Sequence, residues 1–138
     1  MNADTTPMAT DLERERLQLD SISARIIGAA QRVSSTLGCG FLEKVYENSL
    51  AIEINSRGSQ ALQQEAVQVF YRGQVVGNYL PDLVVDGKIV VEIKAAQALD
   101  RVHRQQCINY LRATGYRVCL LLNFGQPRLQ VVRLVWKF

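Results

Sequence analysis

Apolar residues recur at three- and four-residue steps in the first half of this chain and at alternate positions through much of the second. Ile22, Ile26, Ala30, Val33 and Leu37 form one stripe, which predicts a helix opening near Asp20 or Ser21. Either residue can accept from the free N–H groups of a first turn. Gly38 closes it, because glycine takes the left-handed conformation of a helix end. After Gly38-Cys39-Gly40, the positions Leu42, Val45, Tyr46, Leu50 and Ile54 predict a second helix, stopped by Gly58. Residues 1–19 carry the mixed-charge run Asp-Leu-Glu-Arg-Glu-Arg and little apolar periodicity. They read as a flexible or partly helical extension to a domain over 20–138.

From Ala66 the period becomes two. Val67, Val69 and Tyr71 alternate with Gln68 and Phe70, Arg72-Gly73-Gln74 turns, and Val75–Val85 and Lys88–Ala95 read as two further strands. Val102, Gln106, Cys107, Tyr110 and Leu111 suit a third helix ended by Gly115. Arg117–Leu122 is nearly continuous in apolar residues, as a strand covered on both faces requires. Asn123–Pro127 is a loop and Leu129–Trp136 a closing strand. The order is ααβββαββ, an α/β (α+β) fold with a central mixed β-sheet flanked by helices.

Bulk properties narrow the function classes only slightly. With 138 residues, 48% apolar and 21% charged, the chain is one ordinary globular domain. No run reaches the ~18 apolar residues of a membrane span, and Met1–Asp20 resembles no export signal, so a cytoplasmic protein with no membrane partner is expected. Cys39, Cys107 and Cys119 lack metal-ligand spacing and read as reduced thiols acting as small hydrophobes. The net charge of +3 permits nucleic-acid binding without arguing for it.

The informative chemistry is Pro81-Asp82 followed by Glu92-Ile93-Lys94. Residues two apart on a strand share a face, so Glu92 and Lys94 point together while Val91 and Ile93 enter the opposite layer. Charges inside Ile-Val-Val-Glu-Ile-Lys-Ala are costly unless paired or metal-bound. Whether Asp82 joins them depends on the turn. A two-residue loop at Asp86-Gly87 places Asp82 across from Val91, on the wrong face. A three-residue loop, Val85-Asp86-Gly87, pairs Val84 with Lys88 and brings Asp82 beside Val90, diagonal to Glu92. The bulged three-residue turn is expected. Asp82, Glu92 and the Ile93 carbonyl then make a hard-oxygen set for Mg²⁺ or Mn²⁺, with Lys94 beside the attacking water. The competing reading is a strand salt bridge, since such spacings also arise by accident.

Two helices add candidates. Gly40, Glu43 and Tyr46 form G-x-x-E-x-x-Y, with Glu43 one turn from Tyr46. In the third helix His103, Gln106 and Tyr110 share a face; by residue type alone Tyr110 is core and the others border it. Arg101, Arg104 and Arg112 share another side, either as phosphate contacts or as a solvated face.

Taken in order, these segments resemble the GxxExxY protein family, a branch of the PD-(D/E)XK nuclease-like superfamily. The matching pieces are Ile26-Ile27-Gly28-Ala29-Ala30, Gly40 to Asn48, Gln64, Tyr79 to Val85, Val91 to Ala95, Gln106 to Leu111 and Leu120 to Gly125. The resemblance covers about residues 20–138 and implies a restriction-endonuclease-like core. It also implies Glu43 as the helix acid, Asp82 and Glu92 as metal ligands, Lys94 as the catalytic lysine, and Gln106 and Tyr110 as an accessory pair. Ser34 stands where members of the family often carry a histidine. The function expected is Mg²⁺- or Mn²⁺-dependent hydrolysis of phosphodiester bonds in DNA or RNA. The alternative is an inactive nucleic-acid-binding or protein-interaction module on the same fold. Phe124, Trp136 and Phe138 read better as core than as a patch for self-association, and a homodimer or a protein partner stays open.

Overall fold

The computed structural model describes residues 5–137, with side chains from residue 10 onward. The chain runs α1 (Thr5–Leu37), α2 (Glu43–Ser56), β1 (Ala61–Gln63), β2 (Val67–Tyr71), β3 (Gln74–Tyr79), β4 (Leu83–Val85), β5 (Ile89–Lys94), α3 (Arg101–Thr114), β6 (Val118–Asn123) and β7 (Gln130–Val135). Five strands form a mixed sheet in the order β1-β4-β5-β6-β7, and β2 and β3 pair separately. The β5–β6 pair is parallel and the other pairs of the sheet are antiparallel. A parallel pair needs a crossover, and α3 supplies it.

Alternation along β5 sorts the layers. Ile89, Val91 and Ile93 join Leu120 and Leu122 of β6 against α1 and α2, where Ile22, Ile26, Leu50 and Ile54 are buried. Val90, with Cys119 and Leu121 of β6, faces Cys107 and Leu111 of α3 and, beside them, Val67 and Val69 of the hairpin. Every residue of β6 is buried, which accounts for its unbroken apolar run. The expected helix-flanked mixed sheet is therefore present. Cys107 and Cys119 are core thiols, whereas Cys39 is exposed. No helix among the described residues is long and apolar enough to cross a membrane.

Three expectations need correction. The expected strand Val75–Val85 is two strands in two sheets: Leu80-Pro81-Asp82 interrupts it, and Pro81 has no N–H to continue a ladder. With the three-residue β1, which lacks alternation long enough to read, the order becomes ααβββββαββ. The first helix begins at Thr5 rather than at Asp20 or Ser21. Leu-Glu-Arg-Glu-Arg-Leu-Gln-Leu is rich in good helix formers, and ion pairs Glu15–Arg117 (3.3 Å) and Asp20–Arg133 (2.7 Å) tie the helix to the sheet. Leu42, at the N-cap of α2, and Val45 within it are exposed, and the buried face is Tyr46, Glu47, Leu50, Ala51 and Ile54. Val102 is likewise exposed on α3. Phe124, by contrast, is core as expected: it stacks on Tyr46 at 4.7 Å between ring centroids. Trp136 packs against the α3 layer, and Phe138 lies outside the described residues.

One clamp fixes the far end of β5. Asn123, fully buried, accepts from Ala96 N–H (2.9 Å) and Gly125 N–H (3.0 Å) and donates to Ala96 C=O (2.9 Å) and to Gln130 Oε1 (2.7 Å). Phe124 N–H bonds Lys94 C=O at 2.8 Å. A Cβ at Gly125 would lie 2.3 Å from the Ala96 carbonyl oxygen, so only glycine fits there. Asn123→Ala leaves half-buried Ala96 groups unpaired and opens a void in place of a fully buried side chain, and should cost about 2–4 kcal/mol. Urea unfolding measures it, and a loss below about 1 kcal/mol would contradict the clamp.

Candidate active site

The site begins with the β4–β5 register. Leu83 pairs with Val91, Val84 with Val90 and Val85 with Ile89. The loop is thus Asp86-Gly87-Lys88, one residue later than expected, and continuing the register sets Asp82 opposite Glu92 rather than diagonal to it. Asp86 and Gly87 both take positive φ, 53° and 65°, which aspartate tolerates better than most residues. Asp86 is held there by Gln60, whose N–H it accepts at 2.7 Å and whose carbonyl its own N–H meets at 2.8 Å. The expected and observed registers differ by two, so the faces are unchanged. The two-residue turn that would have turned Asp82 away is not formed.

Hydrogen bonds then lock the two acids together. Asp82 Oδ2 accepts from Ile93 N–H at 2.7 Å, and Glu92 Oε1 accepts from Asp82 N–H at 3.3 Å. Tyr79 O–H donates to the same Glu92 oxygen at 2.6 Å. Burial raises the Glu92 pKa to about 7, with the neighbouring Asp82 charge adding to it against the Tyr79 hydrogen bond. Burial also raises Asp82, opposed by the Ile93 N–H and reinforced by Glu47. Burial and the Glu92 charge push the Tyr79 phenol far above its ordinary range. Lys94 is half-buried on the face shared with Glu92, yet among the described residues its ammonium group makes no hydrogen bond or ion pair. The strand salt bridge is therefore absent.

The third helix contributes through a stack. Tyr110 lies against Tyr79 with centroids 3.6 Å apart, and Gln106 Nε2 donates to Tyr110 O–H at 2.9 Å. Both residues line, with Tyr79, Glu92 and Lys94, an open cleft of about 380 Å³. Gln106 and Tyr110 are thus joined to Glu92 and Lys94. His103 is not: it caps α3 in a reciprocal arrangement with Asp100. Arg112 covers Trp136 at 4.9 Å, while Arg101 and Arg104 are exposed.

The second helix places a second acid nearer to Asp82 than the acid of the motif. Glu43 is exposed, and its charge reaches Asp82 more weakly than that of Glu47. Tyr46 is structural: it donates to Gly38 C=O at 2.6 Å and accepts from Phe41 N–H at 3.2 Å, closing the break between the helices. Glu47 is the buried acid. It accepts from Gln63 Nε2 (2.9 Å), Lys44 Nζ (3.1 Å) and Gln64 Nε2 (3.3 Å). Gln64 N–H also bonds Asp82 C=O at 3.2 Å, tying the two acids to one connection. Glu47, Gln64 as a bridging residue, and Tyr79 were not predicted as site residues. Glu47 was within reach, because 47, 50, 51 and 54 form an i, i+3, i+4, i+7 stripe.

A divalent cation fits this donor set. Among the described residues no three His, Cys, Asp or Glu side chains are grouped to hold a metal, but Mg²⁺ needs only one or two carboxylates and retains waters. Asp82 Oδ1 and Glu92 Oε2 have no protein donor among the described residues. A strand residue's C=O points to the same edge as its N–H, so the Ile93 carbonyl also turns toward Asp82, beyond the start of β4. All three donors are hard oxygens.

The family model described as the PD-(D/E)XK nuclease superfamily matches residues 20–134, and the chain belongs to that superfamily. It is similar to the crystal structure of an alkaline exonuclease (LHK-Exo) from Laribacter hongkongensis, with 13% sequence identity, 84% of this chain and 81% of that one covered, and a TM-score of 0.39. No curated protein matches the chain.

A pH signature follows from Glu92. Its pKa rises from 4.5 in the unfolded chain to about 7, so the folded state binds the proton more tightly. Stability of the metal-free protein should fall as pH rises from about 4.5 to 7 and then level off, by an amount on the order of 3 kcal/mol. Glu92→Gln, melted in EDTA, should exceed the wild type at pH 8 and lose that advantage near pH 4. Equal melting at pH 8 would contradict it.

Proposed function

We propose that this chain is a metal-dependent nuclease of the GxxExxY branch, hydrolysing phosphodiester bonds of DNA or RNA. The observation that carries the reading is Lys94: an ammonium with no hydrogen bond or ion pair among the described residues, half-buried beside two desolvated, hydrogen-bonded carboxylates whose charges it offsets. A purely structural strand gains nothing from that arrangement, whereas phosphate chemistry uses each part of it. Superfamily membership supports the same reading, and Gly40, Glu43 and Tyr46 support the branch.

Asp82, Glu92 and the Ile93 carbonyl would hold Mg²⁺ or Mn²⁺. The ion, when bound, supplies charge to a scissile phosphate and acidifies a water. Lys94 Nζ orients the attacking water and donates to the phosphate oxygen on which charge develops. Gln106 and Tyr110, tied to each other and stacked on Tyr79, set the position of the phosphate across the cleft. Glu47 takes the role first assigned to Glu43: it raises negative potential at Asp82 and so favours a cation there. Glu43 becomes a peripheral contributor.

Purified protein given single- and double-stranded DNA and RNA should cleave at least one of them with Mg²⁺ or Mn²⁺, and none in EDTA. Lys94→Ala should lower the rate by about 10²-fold or more, with its thermal midpoint retained. Cleavage that persists in Lys94→Ala would rule the assignment out. Metal-independent binding without cleavage would favour the inactive binding module.

A further inference from the structure

Gly77 stands in the middle of β3, a poor place for glycine, which weakens strands by its conformational freedom and lack of side chain. The usual reasons for a glycine do not apply here. Its φ lies outside the left-handed region, and a Cβ built on it meets nothing within 4 Å. The hairpin does bulge beside it, where Val69 pairs with Gly77 and Phe70 with Val75, but a bulge without positive φ accepts any residue. What the missing side chain does is leave space. Gly77 lines the cleft of about 380 Å³ that also holds Glu92, Lys94 and Gln106.

The walls indicate what fills that space. Val76 and Leu80 line the cleft while 62% and 54% exposed, so they offer apolar surface to an incoming group. Gln106 supplies an amide, and Lys94 and Glu92 carry the phosphate chemistry. An apolar wall, an amide and an ammonium group match a base joined to its phosphate. The volume is near the lower end for small-molecule sites and suits one nucleotide, not a base pair.

We infer that this cleft receives a single unpaired nucleotide of the substrate strand, and that Gly77 is the specificity residue that keeps it open. The inference rests on the nuclease reading for the identity of the ligand, and it names the substrate class as unpaired DNA or RNA: single strands, or ends that have come apart. A base must leave its stack to enter, which costs least where it is already unpaired.

The test uses a labelled single strand of about 12 nucleotides, as DNA and as RNA, and a blunt hairpin duplex of the same composition, followed by fluorescence anisotropy. Wild-type protein should bind the preferred single strand at least tenfold more tightly than the duplex. Gly77→Val should weaken single-strand binding at least tenfold, while melting at the wild-type temperature or above it, since a β-branched residue suits a strand. Gly77→Ser, the smaller change, replaces it should the valine variant not fold, with a loss of at least threefold expected. Wild-type affinity in a folded Gly77 variant, or equal affinity of the wild type for duplex and single strand, overturns the inference. Cleavage that needs Lys94 but is indifferent to Gly77→Val would sink this inference and leave the nuclease standing. Gly77-dependent binding in a protein that cleaves nothing would do the reverse.

Discussion

Everything at this site depends on one hydrogen bond, from Ile93 N–H to Asp82 Oδ2 at 2.7 Å. It is made because β4 begins only at Leu83: with no residue of β4 to meet Ile93, the Asp82 side chain takes the place of a strand carbonyl. The carboxylate is thereby drawn to the edge of β5, opposite Glu92, into surroundings that raise the pKa of both acids. Two acids held close in partial burial repel each other. That cost is accepted by the fold because the surrounding elements over-determine the geometry, and a bound cation relieves it.

Those elements form a frame with few loose parts. The Asn123–Gly125 clamp fixes the end of β5 just beyond Lys94, and the parallel pair Lys94–Asn123 places it in register with the most buried strand. Tyr79 spans two layers, donating to Glu92 while its ring stacks on Tyr110. The separate hairpin is thus tied to the main sheet through the site itself. Below, Gln64 bonds Asp82 by its backbone and Glu47 by its side chain. Each acid is positioned by a neighbour that is in turn positioned by packing, which is the condition for a preorganised site.

How much of this was legible in the sequence depended on the kind of information required. The strand carrying Glu92 and Lys94 was clear because period-two alternation is local. The face of Asp82 was recoverable because any odd-length loop at Asp86-Gly87 gives the same parity, although the loop residues themselves depended on the contact with Gln60, which lies far away in sequence. The split at Leu80-Pro81-Asp82 was written in the proline and passed over because apolar residues continue on both sides. Glu47 was obscured because a charged residue on an apolar stripe is ordinarily solvated, and its three donors, Lys44, Gln63 and Gln64, come partly from a strand too short to predict. The role of Tyr46 in closing the helix break needed Gly38 and Phe41 in three dimensions.

The most direct measurement is calorimetric titration of Mn²⁺ into the purified protein at pH 6.5, repeated in buffers of different ionisation enthalpy. The account predicts one site per chain, loss of binding in Asp82→Asn, and release of a proton on binding, because Glu92 must give up the proton that its burial retains. Absence of binding heat, or equal affinity in the Asp82→Asn variant, would contradict a metal centre built on these two acids.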